Sequence, residues 1–285
     1  MTLNEILISL EIGLIYGIVA IGVYFAFRVI NFSDLTCDGS FVLGAATSSV
    51  LIQSGFNPWG ALLLSIIAGG LSGFTTGVLF VWFKLTDLLA GILVAFMLYS
   101  INLYIMGGIP NIALINIGTI FSNISALILL IIIGVIIYIL CSYLLLTDFG
   151  LALRSIGQNK ILAKNNGINV QFMTIIGLVL SNSLIALGGA IFSQHQGFSD
   201  IGFGIGTVIV GLISIMIGER ILPYRSMKVQ LASCLLGSIV YRLLIGFALH
   251  SEIFGLETKD FNLITGLIVI IITRLGKGYA KATRY

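Results

Sequence analysis

Two aspartates, Asp34 and Asp38, lie four residues apart in the stretch INFSDLTCDGSFVLGA, between two long apolar runs. Carboxylates at this spacing share a face if the stretch is helical. They could cap an irregular helix start, with Asp34 or Ser33 accepting backbone N–H groups. In the alternative, Asp38 contacts an amine of a bound solute. Both hypotheses place a polar interruption inside an apolar chain.

The tripeptide Phe-Ser-Asp occurs a second time, at 198–200, in the stretch QHQGFSDIGFGIG. The match to the first segment is short, so it reflects either coincidence or an internal duplication. Gln194, Gln196 and Asp200 supply the polar side chains here. Together with Asp34 and Asp38, they are the candidates to line a solute route or to lie close to a bound solute.

Other reactive patterns are absent from the sequence. It contains no Walker motif, no H-E-x-x-H and no C-x-x-C. Cys37, Cys141 and Cys234 are widely spaced, so they are expected to be small buried side chains. His195 and His250 lie near the ends of apolar runs and are expected to be interfacial polar residues. The chain is therefore expected to be no enzyme and to bind no metal or cofactor itself.

The elements that carry these residues are transmembrane helices. The chain of 285 residues is 58% hydrophobic and 9% charged, whereas soluble proteins are about 25% charged. Its start carries Glu5, no basic n-region and no cleavage site, so it is expected to remain as a helix. About 20 apolar residues span a bilayer. On that criterion the runs are 6–27, 40–54, 58–82, 88–107, 123–146, 172–193, 206–222, 230–250 and 260–275.

The run at 40–54 is short and could be broken or re-entrant, so the sequence predicts an all-α bundle of eight or nine crossings. Basic residues favour the cytoplasmic side. If 147–171 is cytoplasmic and all nine runs cross, then 12 of the 14 basic residues lie inside, with the N-terminus outside and the C-terminus inside. These 12 are Arg28, Lys84, Arg154, Lys160, Lys164, Arg220, Arg225, Lys228, Arg274, Lys277, Lys281 and Arg284. Arg242, within a run, and Lys259, outside, are the exceptions.

No linker divides the chain, so 1–285 is predicted to be one transmembrane domain. The two Phe-Ser-Asp segments follow runs one and six, on opposite sides of the membrane. This arrangement predicts inverted halves at about 1–122 and 172–285, as in many transporters. Glu11 and Arg242 lie within runs, where a charge is costly. They could line the route or form a structural ion pair with each other.

The basic segment 147–171 is predicted to form two short helices. Phe149, Leu153 and Ile156 recur at helical spacing after Asp148, a candidate N-cap. Gly157 interrupts the pattern, and Gly167 is placed to end a second helix at about 159–166. Such amphipathic helices either dock into a groove on a soluble partner or lie on the lipid surface.

This segment, TDFGLALRSIGQNKILAKNNGIN, resembles the cytoplasmic loop of ABC transporter permeases of the branched-chain amino acid and ribose importer class. The matching positions are Thr147, Gly150, Arg154, Gly157, Asn159, Ala163, Gly167 and Ile168, while Ser155 replaces the usual alanine. The stretch FRVINFSDLTCDGSFVLGAA is similar to the bacterial subgroup associated with tryptophan, tyrosine or related solutes. In that subgroup a proline usually stands at the position of Ser33 and a valine at that of Cys37.

The resemblance implies a permease subunit in the inner membrane of a bacterium, present in two copies. ATP and Mg²⁺ would bind separate ATPase subunits, and an extracytoplasmic solute-binding protein would deliver a small solute such as an amino acid. No nucleic acid is implied. The residues it assigns to ATPase coupling are Asp148, Gly150, Arg154, Gly157, Asn159, Lys164 and Gly167. The residues alone leave two alternatives open, an ion-coupled secondary transporter and a structural membrane subunit.

Overall fold

Helices form nearly all of the regular structure in the computed structural model, which describes residues 2–115, 117–122, 124–222, 226–250, 265, 266 and 270. The described helices are α1 (Leu3–Tyr24), α2 (Thr36–Gln53), α3 (Pro58–Val81), α4 (Asp87–Ile105), α5 (Ala126–Leu146), α6 (Asp148–Gln158), α7 (Lys160–Asn165), α8 (Val170–Gln196), α9 (Thr207–Ile221) and α10 (Met227–His250). A π-helical turn, Phe25–Val29, extends α1, and a 3-10 turn, Ile201–Gly204, precedes α9. Two short strands, β1 (Asn111–Ala113) and β2 (Phe198–Asp200), pair antiparallel.

Each of the first eight predicted apolar runs overlaps one of these helices over most of its length, which confirms the helical membrane bundle. In the described part of the chain, seven helical segments are long and apolar enough to cross a membrane. They are α1 with its π-turn, α3, α4, α5, α8, α9 with its 3-10 turn, and α10. The ninth run, 260–275, lies outside the described residues except for 265, 266 and 270. So do Arg225, Lys259, Arg274, Lys277, Lys281, Arg284 and the side chain of His250.

The run predicted at 40–54 is not broken. It forms one continuous helix, α2, that begins at Thr36 and has 18 residues. Its length is therefore about 27 Å, close to the hydrocarbon thickness of about 30 Å. The irregular backbone lies just before it, at 30–35. Because α2 packs against α3, α4 and α8, most of its polar side chains, among them Thr36, Ser40 and Ser48, face protein.

Helix α8 lies at the centre of the described bundle and packs against α1, α2 and α3. Its contacts with α1 run antiparallel, since Ser181 bonds the carbonyl of Gly22 while His195 bonds Glu11. Its contacts with α2 run parallel, from Asn182 near Ser40 to Gln194 near Ser48. The end of α1 therefore lies beside the first half of α8.

Close approach of α3 to α8 depends on Gly69, Gly73 and Gly77, which lie four residues apart on one face of α3. A Cβ at Gly69 would overlap the carbonyl of Asn182, and one at Gly73 would overlap that of Leu178. The backbones therefore touch along this crossing. Beside this crossing, the hydroxyl groups of Ser72 and Thr76 on α3 lie within hydrogen-bond distance of Ser40 and Thr36 on α2.

Candidate functional site

Asp34 lies in the irregular segment 30–35 and is fully buried. Its Oδ1 accepts the Thr36 N–H at 2.9 Å, and its Oδ2 accepts the side-chain amide of Asn182 at 2.7 Å. The hypothesis that Asp34 accepts a backbone N–H at the start of a helix is confirmed. The same carboxylate also fixes this start to the middle of α8.

The bond to Asn182 belongs to a buried polar network between α2, α3 and α8. The Ser40 hydroxyl donates to Asn182 Oδ1 at 2.7 Å and lies 2.7 Å from the Ser72 hydroxyl. Thr36 and Thr76 are joined in the same way, at 2.7 Å. Satisfied buried networks of this kind hold helices in a single register.

Asp38 makes different contacts from Asp34, in the first turn of α2. Its Oδ1 accepts the Val208 N–H at 2.9 Å, and its Oδ2 accepts the Gly206 N–H at 3.3 Å. These are free N–H groups at the start of α9, so Asp38 caps a helix distant in sequence. The condition for a shared helix face is not met, because Asp34 precedes the helix that contains Asp38.

The second Phe-Ser-Asp segment penetrates the bundle. At the end of α8, Gln194 donates to Ser48 at 3.0 Å, whereas Gly206, at the start of α9, contacts Asp38. Ser48 and Asp38 are ten residues apart on α2, which corresponds to about 15 Å along a helix axis. The segment 197–206 therefore runs alongside α2 into the bundle before α9 begins.

The remaining polar candidates lie in the last turn of α8 and in β2. Buried Gln194 also accepts the Ile120 N–H at 3.1 Å, which fixes the loop before α5. Asp200 accepts the Gly202 N–H at 2.7 Å and the Asn111 side chain at 3.1 Å, so it joins β2 to β1. Gln196 is partly buried in the last turn of α8. The structure thus places Asp34 and Asp38 at the start of α2, against α8 and α9, and leaves the other three near the opposite end of α2.

A pocket of about 180 Å³ lies where α2, α4 and the 3-10 turn meet. Asp38, Tyr99 and Asn102 supply its polar side chains. Sequence analysis did not single out Tyr99 or Asn102, because both lie within an otherwise apolar run. The sequence did show that Tyr99 and Asn102 are three residues apart, which places a phenol and an amide on the same face of a helix.

The charges inside the bundle do not pair as expected. Glu11 bonds His195 at 2.9 Å, and both side chains are largely buried. The guanidinium of Arg242 lies over the ring of Tyr16, 4.6 Å from its centre. The proposed ion pair between Glu11 and Arg242 is therefore wrong, whereas the interfacial position of His195 stays a prediction. Residues far apart in sequence formed these pairs, so spacing did not reveal them.

The segment 147–171 forms two helices, α6 and α7, with different ends from those predicted. Thr147, not Asp148, is the N-cap of α6, and its hydroxyl accepts the Gly150 N–H at 3.4 Å. The break falls at Asn159, whose side chain caps α7 through Ile161 and Leu162. Gly167, with a φ of 81°, follows α7 as expected.

Gly157 does not form the bend between α6 and α7. A Cβ there would overlap the carbonyl of Val29, so Gly157 permits α6 to rest directly on the end of the α1 extension. Leu153 and Ile156 are buried beside it. The helix pair is therefore attached to the residues that lead into Asp34.

The other face of α6 is open and forms a groove of about 520 Å³. The Nε of Arg154 is buried in this region without a hydrogen-bond partner among the described residues. Asp148 and Gln158 border the same groove, and Lys164 lies beside it on exposed α7. The groove therefore combines apolar side chains with the guanidinium group of Arg154, whose Nε has no hydrogen-bond partner among the described residues.

A helical bundle with polar interruptions inside it and an amphipathic helix pair at one end is the architecture of a multi-pass membrane permease. The chain belongs to the family described as branched-chain amino acid transport system / permease component, which matches residues 6–273. This agrees with the family resemblance noted from its cytoplasmic-loop motif.

Two curated relatives and one solved structure are similar over nearly the whole chain. A tyrosine transport system permease protein of Clostridioides difficile is 37% identical over 93% of this chain and 88% of its own length. An uncharacterized protein of Rickettsia prowazekii is 34% identical over 94% of this chain and 96% of its own. The structure of PsaBC from Streptococcus pneumoniae in complex with Fab has the same fold, with a TM-score of 0.56 at 15% identity, covering 94% of this chain and 89% of that chain.

Proposed function

We propose that this chain is the permease subunit of an ATP-driven importer of a small solute. Two copies form the route, a binding protein delivers the solute, and separate ATPase subunits bind ATP and Mg²⁺. The chain itself carries out no chemical step. If the host is a bacterium, the complex lies in its inner membrane.

The observation that carries the proposal is the contact between α6 and the end of α1. Force applied to α6 acts on Val29 through Gly157, and Val29 leads within five residues to Asp34. Asp34 is bonded to the middle of α8. A partner that moves α6 and α7 would thereby favour one of two arrangements of the route.

Sidedness follows from the distribution of basic residues. The end of the bundle that carries α6 and α7 is the cytoplasmic one, because Arg154, Lys160 and Lys164 cluster there. The open groove on α6 then faces the compartment that contains the ATPase. Arg154, which is partly buried and borders the groove, is suited to an acidic residue of that partner, since a guanidinium binds a carboxylate through two bonds.

The family and the Clostridioides difficile relative support an amino acid as the solute, with an aromatic one as the first candidate. The runner-up, an ion-coupled transporter, needs a carboxylate that exchanges a cation. The candidate for that role, Glu11, is bonded to His195 at 2.9 Å. The family to which the chain belongs favours the ATP-driven function over the ion-coupled one.

The test compares the wild-type complex with Arg154→Glu and, as a control, Lys228→Glu, a charge reversal on an exposed residue of α10. The wild type should co-purify with an ATPase and import tyrosine in a vanadate-sensitive way. Arg154→Glu should lower uptake per ATP hydrolysed at least about tenfold, with normal membrane abundance, whereas Lys228→Glu should behave as wild type. Uptake that needs an ion gradient and no ATPase would contradict the proposal.

A further inference from the structure

The pocket between α2, α4 and the 3-10 turn presents hydrogen-bond acceptors. The Asp38 carboxylate borders it and accepts hydrogen bonds from the backbone N–H groups of Gly206 and Val208. Asn102 forms another part of the wall and is 1% exposed. Its Oδ1 has no hydrogen-bond partner among the described residues.

The orientation of the Asn102 amide follows from its one bond. Its Nδ2 donates to the carbonyl oxygen of Gly39 at 3.1 Å. Turning the amide over would set two acceptors against each other, so Oδ1 is the atom left without a donor. A buried acceptor without a donor costs about 1–3 kcal/mol. A bound group that supplies this donor would recover that cost.

The other residues of the pocket define the size and shape of the group that it can bind. Val42, Ala95 and Ile201 form apolar walls, and Tyr99, which is 57% exposed, stands at the rim. A pocket of about 180 Å³ is smaller than the roughly 300–1,000 Å³ of sites that enclose a drug-sized ligand. It therefore suits one charged end of a solute.

The Asp38 carboxylate in this pocket is unsuited to contact with lipid. A carboxylate at membrane depth faces either protein or water. In the proposed dimer, the rim at Tyr99 and Ile205 would border a route between the two copies. We propose that this pocket is a subsite for the protonated amine of the transported solute, with Asp38 supplying the charge and Asn102 Oδ1 an additional acceptor. This assignment rests on the proposed transport function.

The first experiment measures the charge preference of a thiol at the rim in the assembled complex. Tyr99→Cys is treated with 2-aminoethyl and 2-sulfonatoethyl methanethiosulfonate, and each rate is divided by that for a free thiol. The cationic reagent should be favoured about tenfold. Tyr104→Cys, which is 87% exposed on the same helix and outside the pocket, is the matched control and should show no such preference.

Asp38→Asn should reduce this preference at least about threefold, because it removes the charge. The fold should survive, since asparagine is also a good N-cap for α9. The native Cys37, Cys141 and Cys234 are buried, so the wild type supplies the background rate. An unchanged preference in Asp38→Asn would overturn the proposal.

The second experiment tests whether the site binds an amine. Tyramine and L-tyrosine should slow the labelling of Tyr99→Cys by uncharged methyl methanethiosulfonate, whereas 3-(4-hydroxyphenyl)propanoate, which lacks the amine, should not. Asn102→Leu, which removes the free acceptor, should abolish protection by both amines. Equal protection by the propanoate, or none by either amine, would overturn the subsite. Failure of the transport function would appear separately, as a wild-type complex without vanadate-sensitive uptake.

Discussion

At the scale of single residues, Asp34 and Asp38 show how two carboxylates four positions apart perform separate tasks. Asp34 bonds α8 through Asn182, and Asp38 bonds the start of α9 through Val208. Each therefore joins α2 to a helix from the second half of the chain. A buried carboxylate with satisfied bonds is tolerated in the bundle, whereas its removal leaves donors without partners.

We expect Asp34→Ala to destabilise the protein by about 2–4 kcal/mol, because it leaves the Thr36 N–H and the Asn182 amide unsatisfied inside the bundle. Asp200→Ala is the matched control, since Asp200 ends the second Phe-Ser-Asp and is partly exposed. Its loss should cost about 1 kcal/mol or less. Unfolding by denaturant in detergent measures both values, and equal losses would contradict the structural role given to Asp34.

Sequence analysis identified Asp34 as an acceptor at the start of α2 because this bond is local. Asp34 accepts the N–H two residues on, so the bond lies within one short stretch. Asn102 and Tyr99 were missed as pocket residues, and the partner of His195 was missed, because their surroundings come from helices distant in the chain. His195, for example, meets Glu11, 184 residues away. No local pattern carries information about such a pair.

At the scale of elements, apolar runs predicted eight of the helices. The ends of the short helices were harder to predict, because neighbouring side chains compete to be the N-cap. Thr147 caps α6 in place of its neighbour Asp148. Gly157 was expected to bend the chain, yet α6 continues through it to Gln158. A glycine in a sequence does not distinguish flexibility from close contact. Only the position of Val29 decided between them.

We expect Gly157→Ala to reduce ATP-driven uptake at least about tenfold, because the added Cβ would overlap the Val29 carbonyl and lift α6 off α1. Gly134→Ala in α5 is the control: no atom lies within 4 Å of its added Cβ, and alanine favours a helix by up to about 1 kcal/mol. Limited trypsin digestion should cut faster at Arg154 and Lys160 in Gly157→Ala alone. Normal uptake with unchanged digestion would contradict the coupling contact.

At the scale of the whole molecule, the two Phe-Ser-Asp segments match in backbone geometry as well as in sequence. Asn31 and Gly197 both have positive φ, 51° and 75°, and each precedes Phe-Ser-Asp. In each copy the aspartate accepts the N–H of the residue two positions on. Since α1 and α8 run antiparallel, the copies have opposite directions. The inverted repeat remains a prediction, and these shared features favour it over coincidence.

The orientation of the molecule yields the last prediction. If 147–171 is cytoplasmic, a thiol at exposed Gln158 should react with a membrane-impermeant reagent in inside-out vesicles and not in intact cells. A thiol at exposed Asn111, in β1 at the opposite end of the bundle, should show the reverse. The buried native cysteines make the wild type a suitable blank. Labelling of Gln158→Cys from the medium would place the α6–α7 groove on the wrong side for an ATPase, and the proposed coupling mechanism would then fail.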